Sequence, residues 1–216
     1  MYRIVFLMLI SCSVLMCNTI KNKEISLPYY NEPTFTPLFL TNKYDVKNKI
    51  IHTIANFSLL NQDSIVVTQS VIENKIHVAN FIFTSCGSIC PVMTKNLKIV
   101  SDSLKKYDDI VLLSYSVTPW IDKPSVLNKF KKNYTIFNNN WHFLTGDKGV
   151  IYKLARQSYF AEEDIGFSKD SSEFLHTEHL ILVDKTKRIR GIYNGTLQVE
   201  MENLISDITN LEKEEN

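Results

Sequence analysis

The sequence predicts an α/β domain built on a partly parallel sheet. Three observations carry that prediction. Residues 76–83 are β-branched and aromatic with almost no charge, as in a central strand covered on both faces, and they run straight into Cys86-Gly87-Ser88-Ile89-Cys90 and a helical segment. Strand-like and helix-like stretches then alternate down the chain. A hairpin pattern and one last helix close it.

Taken in order, residues 1–17 open with one positive charge, Arg3, and an unbroken apolar run over 4–10. That run has the length of a signal-peptide core and falls short of the roughly 20 residues a membrane span needs. Leu9-Ile10-Ser11-Cys12 resembles a bacterial lipoprotein cleavage box, in which the cysteine is lipidated and becomes the new N-terminus; Val14-Leu15-Met16-Cys17 offers a second one. Ser11 is the better small residue, so Cys12 is preferred to Cys17, and an uncleaved signal anchor is the competing reading. Either way the protein is expected in the cell envelope, membrane-anchored and facing the periplasm. Residues 18–45 are polar, with Pro28, Pro33 and Pro37 among aromatics, and read as an extended spacer that packs partly on the domain that follows, 46–216.

Within that domain, 51–60 and 65–68 read as short strands around the turn Asn61-Gln62-Asp63-Ser64. The organising strand follows. Pro91 then sits in the first helical turn, where its missing N–H costs nothing, and Met93, Leu97, Val100 and Leu104 recur at helical spacing. A second β-rich run at 110–117 ends at Thr118-Pro119. Residues 123–134 are helical in pattern, 141–144 form a short strand, and Thr145-Gly146-Asp147 opens a helix through Arg156. Residues 158–173 are an acidic, polar loop. A strand at 179–183, a turn at 184–187, its partner at 189–193 and a helix at 198–211 complete the chain.

The 24 basic and 23 acidic residues nearly cancel, no basic stripe stands out, and nucleic acid is not an expected partner. Of the four cysteines, Cys12 and Cys17 belong to the leader, which leaves Cys86 and Cys90 as the only pair in the body. An isolated pair points to redox or metal chemistry rather than to a disulfide framework. Four residues apart at a helix N-terminus, the two thiols are expected on one face, and the helix end is expected to lower the pKa of both. A purely structural disulfide is the plainer reading.

The order of elements is that of a thioredoxin-like domain, a central mixed sheet flanked by helices. Oxidoreductases of that fold place two residues between their cysteines and set a cis-proline opposite; here three intervene, and every proline lies at or before Pro124. Histidine stands there instead, in Leu175-His176-Thr177-Glu178-His179. Two thiolates and an imidazole suit copper, while zinc would want a fourth ligand that is not evident. His52, His77 and His142 lie in strand-like runs and read as packed side chains. Trp120 beside Asp122 reads as an ordinary surface turn, and Glu162-Glu163-Asp164 as a solvated loop.

Several blocks together resemble the Sco (SenC) family of copper-binding proteins. They are Phe83-Thr84-Ser85-Cys86-Gly87-Ser88-Ile89-Cys90-Pro91, Ser116-Val117-Thr118-Pro119, Trp141-His142-Phe143-Leu144-Thr145-Gly146, and His176-Thr177 followed by Leu182-Val183-Asp184. The likeness spans about 46–212. It implies a membrane-anchored copper chaperone for the binuclear copper site of cytochrome c oxidase, with thiol–disulfide activity towards that site's cysteines as a linked role. By motif, Cys86, Cys90 and His176 become the copper ligands, and Cys86 and Cys90 the redox pair. The alternative from another class is a thiol–disulfide oxidoreductase acting on extracytoplasmic partners, for which the imidazole is dispensable. One departure is Gly87, where the family commonly has proline; glycine is expected to loosen the loop.

Overall fold

The computed structural model describes residues 27–161 and 177–215. The chain forms α1 (Lys43–Lys49), β1 (Ser58–Asn61), β2 (Val66–Thr68), a 3-10 turn (Gln69–Ile72), β3 (Ile76–Ile82), α2 (Ile89–Ser103) and β4 (Ile110–Ser116). It continues through α3 (Pro124–Asn133), β5 (Trp141–Thr145), α4 (Lys148–Lys153) with a π-helical turn (Leu154–Ser158), β6 (His179–Val183), β7 (Ile189–Asn194) and α5 (Gln198–Glu215). The seven strands make one mixed sheet in the order β2-β1-β5-β4-β3-β6-β7.

β3 and β4 are buried at every position. They pair in parallel from Ile76↔Ile110 to Ile82↔Ser116, and β4 pairs in parallel with β5. Parallel neighbours need crossovers, which α2 and α3 supply, and the helices cover the faces that the apolar strands must hide. On one face Val78, Leu112, Phe143 and Leu182 pack with Met93, Leu97 and Val100 of α2 and with Leu204 and Ile208 of α5. On the other Ala79, Leu113, Leu144 and Ile181 pack with Ile54, Phe57, Ile151 and Tyr159. β6 and β7 close the β3 edge as an antiparallel hairpin, in the expected place.

Differences from the sequence reading have local causes. Of the run 51–60 only 58–60 is strand, and β1 continues into Asn61, which the sequence reading placed in the turn. Ahead of it the amides of Ile51 and His52 donate to Asn31 Oδ1 and that of Ile54 to the carbonyl of Lys187, so the backbone is satisfied without a ladder. The helix read through Arg156 is regular only to Lys153, and the final helix runs four residues further than expected, to Glu215. Residues 43–49 are helical, capped by the Asn42 side chain accepting from the Asp45 amide.

Upstream, Tyr29 bridges Leu38 and Tyr30 bridges Ile189 on the sheet edge. Arg190 fixes this segment. Its guanidinium is 2% exposed, donates to the carbonyls of Leu27 and Pro28 and to Glu214, and stacks 4.0 Å from the Tyr29 ring centroid. The first described residues and the last helix are thus tied to one β7 side chain. Residues 1–26 and 162–176, and with them the leader, Glu162-Glu163-Asp164 and His176, lie outside the described residues.

Candidate metal and redox centre

β3 ends at Ile82, and the next six residues turn from the carboxyl end of the central strand into α2. That is the edge where open α/β sheets hold their ligands, because strand ends and helix N-termini converge there. Cys86 lies in the turn, its amide donating to the carbonyl of Phe83 at 3.2 Å. Cys90 lies in the first turn of α2 and is 3% exposed, whereas Cys86 is half-buried. Both are free thiols.

Ser88 caps α2 without a side-chain hydrogen bond, so the first helical amides are left to other acceptors. They find Cys86. Burial works against ionisation of its thiol, but hydrogen bonds from the amides of Cys90, Ser88 and Ile89 and from the Cys90 thiol outweigh it, and the pKa falls below the ordinary value. Cys90 goes the other way. Burial, the hydrogen bond it donates to Cys86, and the negative charges of Cys86 and Asp122 push its pKa up to about 12, against a smaller opposing hydrogen bond from the Phe83 backbone. The expectation that the helix end lowers both pKa values therefore holds for Cys86 and fails for Cys90. Desolvation of the inner sulfur exceeds what the helix terminus returns.

Gly87 between them has no positive φ, and a Cβ built there meets nothing within 4 Å. The turn does not depend on glycine's freedom.

The residue the sequence reading missed is Asp122. It is fully buried and accepts from the Thr84 amide (3.1 Å), the Thr84 hydroxyl (2.5 Å), Ser116 Oγ (2.6 Å) and Thr118 Oγ1 (2.9 Å). Trp120, two residues before it, is 50% exposed with Lys148 over its ring, so the surface turn of the sequence reading covers a buried carboxylate. The signal was available: Ser116 and Thr118 close a buried strand, and their hydroxyls require an acceptor.

His179 opens β6, opposite Asn194, and its ring stands edge-on to Phe35 at 5.8 Å. His77 is wholly buried with Nε2 on the Tyr159 hydroxyl at 3.1 Å, and His52 binds the Ser158 carbonyl at 2.7 Å. His142 is partly buried, its pKa lowered by that burial. Among the described residues no three His, Cys, Asp or Glu side chains converge as a metal site, and no peptide bond is cis. What the described residues bring together is a pair of soft donors, one accessible and one inner, at the ligand edge of a thioredoxin-like sheet.

Fold and thiol pair define a thioredoxin-like domain equipped for thiol redox or soft-metal binding. The SCO1/SenC family model matches residues 47–212, and the chain belongs to that family. It is 31% identical over 165 residues to the SCO1 protein homolog of Bacillus subtilis (strain 168), covering 76% of this chain and 84% of the relative. Among solved structures, a SCO1/SenC family lipoprotein from Bacillus anthracis str. Ames superposes with a TM-score of 0.65 at 27% identity, covering 74% of this chain and 95% of that one. BsSco, a member of the Sco family of cytochrome c oxidase assembly proteins in which a disulfide switch was identified, gives 0.63 at 30% identity, with 75% and 94% covered. The copper-bound ScoI of Bradyrhizobium japonicum shares the fold at a TM-score of 0.58 and 21% identity over 74% of this chain and 99% of that one.

Proposed function

We propose that this protein is a membrane-anchored copper metallochaperone that takes copper on Cys86, Cys90 and His176 and delivers it to the binuclear copper site of cytochrome c oxidase. The observation that supports this most directly is the thiol pair, one sulfur half-exposed and stabilised by helix amides, the other buried behind it. Two sulfurs are a soft site that favours Cu(I) over hard cations. Binding releases the thiol protons, so the buried Cys90 contributes a ligand that is protonated whenever the metal is gone. His176 adds the third donor in this reading. Its competitor His179 is the first residue of β6 and packs on Phe35, a setting that suits a structural ring better than a ligand. The apolar leader, its Leu-Ile-Ser-Cys box and the likeness to a family lipoprotein support residues 1–17 as a leader and anchor region. In this reading Cys12 is lipidated, 18–45 is the spacer and 46–216 works on the periplasmic side.

The same thiol asymmetry supports a second reading, thiol–disulfide exchange with extracytoplasmic partners. An accessible sulfur of lowered pKa is the attacking group, and an inner sulfur is the resolving one. Histidine variants separate the two. His176→Ala should lose the Cu(II) thiolate-to-copper absorption while Cu(I) still binds, whereas His179→Ala should change neither. Cys86→Ala and Cys90→Ala should each abolish stoichiometric Cu(I) binding. Full copper occupancy in either cysteine variant would sink the chaperone reading.

A further inference from the structure

We propose that Asp122 is a positioning residue of the thiol pair, which fixes the cysteine turn through Thr84 and whose buried charge limits how tightly the pair holds copper. This rests on the copper reading above. Asp122 follows the end of β4, where Thr118 turns the chain so that the Ile121 and Asp122 amides both donate to its carbonyl. One carboxylate oxygen takes the Thr84 amide, Ser116 Oγ and Thr118 Oγ1; the other takes the Thr84 hydroxyl. Thr84 lies two residues ahead of Cys86, between the end of β3 and the turn. The carboxylate therefore staples the segment that carries Cys86 to the neighbouring strand, with amide and hydroxyl of one residue held at once.

The charge has a separate effect. Cu(I) on two thiols forms two copper–sulfur bonds and releases two protons, so the site passes from neutral to a net charge of −1. A carboxylate whose hydrogen-bond donors among the described residues are all neutral opposes that change. Such a site binds copper less tightly than the same thiols over a neutral group, which suits a protein that must pass its metal on.

The two effects can be separated because Asp122→Asn keeps the staple. An amide oxygen can replace the oxygen that accepts three bonds, and the amide nitrogen can donate to Thr84 Oγ1, whose hydroxyl also accepts. The full-length protein and its Asp122→Asn and Thr84→Val variants would be compared in anaerobic competition for Cu(I) against a chromophoric chelator. Asp122→Asn should bind on the order of ten-fold tighter, the effect of removing one like charge about 10 Å from the site in a partly screened interior. Thr84→Val keeps the charge and the amide bond but cuts the hydroxyl tether, and should bind more weakly. Equal or weaker binding by a folded Asp122→Asn protein overturns the charge effect, and unchanged binding by Thr84→Val overturns the positioning effect, which stays testable even if Asp122→Asn does not fold. Failure of the copper reading looks different: the unaltered protein would then leave the chelator loaded. In that case the equilibrium between the Cys86–Cys90 disulfide with dithiothreitol and the two thiols with cyclic oxidised dithiothreitol tests the same staple. It should shift at least two-fold in Thr84→Val, and an unchanged constant overturns the inference.

Discussion

Copper binding by this thiol pair should depend on pH far above the range in which ordinary cysteines titrate. A free thiol has a pKa near 8.5, so a metal meets little proton competition from it above about pH 9. Cys90 is 3% exposed and its pKa is pushed up to about 12. At pH 7 its thiolate is then about one part in 10^5 of the total, against roughly three parts in 100 for an unperturbed thiol. At the proposed copper site, proton competition at this one sulfur should thus weaken apparent Cu(I) affinity about 10^3-fold at neutral pH. It also leaves the affinity rising at least ten-fold per pH unit until pH approaches 12, with a steeper rise below the pKa of Cys86. Anaerobic competition with a chromophoric Cu(I) chelator from pH 6.5 to 10 measures the slope. Iodoacetamide at pH 8 supplies a check without metal, since Cys86 should be alkylated long before Cys90. An affinity that levels off above pH 9, or two cysteines labelled at similar rates, would refute the account.

Three other outcomes follow from particular residues. His77 is wholly buried and neutral, with a folded pKa of about 3 below the ordinary 6.5, so it favours unfolding as the pH falls from 6.5 towards 3. The loss should reach about 2 kcal/mol at pH 5, readable by chemical denaturation, and His77→Gln should flatten it. Gly87→Ala should stabilise the protein by about 0.4–1 kcal/mol, because the turn has room for a Cβ at an ordinary φ and the unfolded chain loses freedom; a loss of stability would show that the turn needs glycine. Arg190→Met should cost about 3–5 kcal/mol and expose 27–41 to protease, since one buried guanidinium holds the Leu27 and Pro28 carbonyls and Glu214; unaltered proteolysis would mean that the segment is held by other contacts.

The alternation of apolar strands and amphipathic helices, the hairpin at the end and the reactive turn after the central strand were all legible in the residues, because burial on one or both faces dictates which side chains a segment can carry. β6 begins at His179 and ends at Val183, as the apolar run indicates, and β3 and β4 lie where the β-branched and aromatic runs put them. The cysteine pair and its place at a helix N-terminus were legible for the same reason: they follow from adjacent residues. Three things were decided by the tertiary structure alone. The opposite pKa shifts of Cys86 and Cys90 depend on how far each sulfur is taken from water, and spacing along the chain does not encode that depth. The packing of 27–41 on the sheet edge depends on Arg190, 162 residues from Pro28. Asp122 looks like a surface acid beside a tryptophan until β3 and β4 are set in register; only then do Thr84, Ser116 and Thr118 point their donors at one carboxylate, which is buried because those four bonds replace its water.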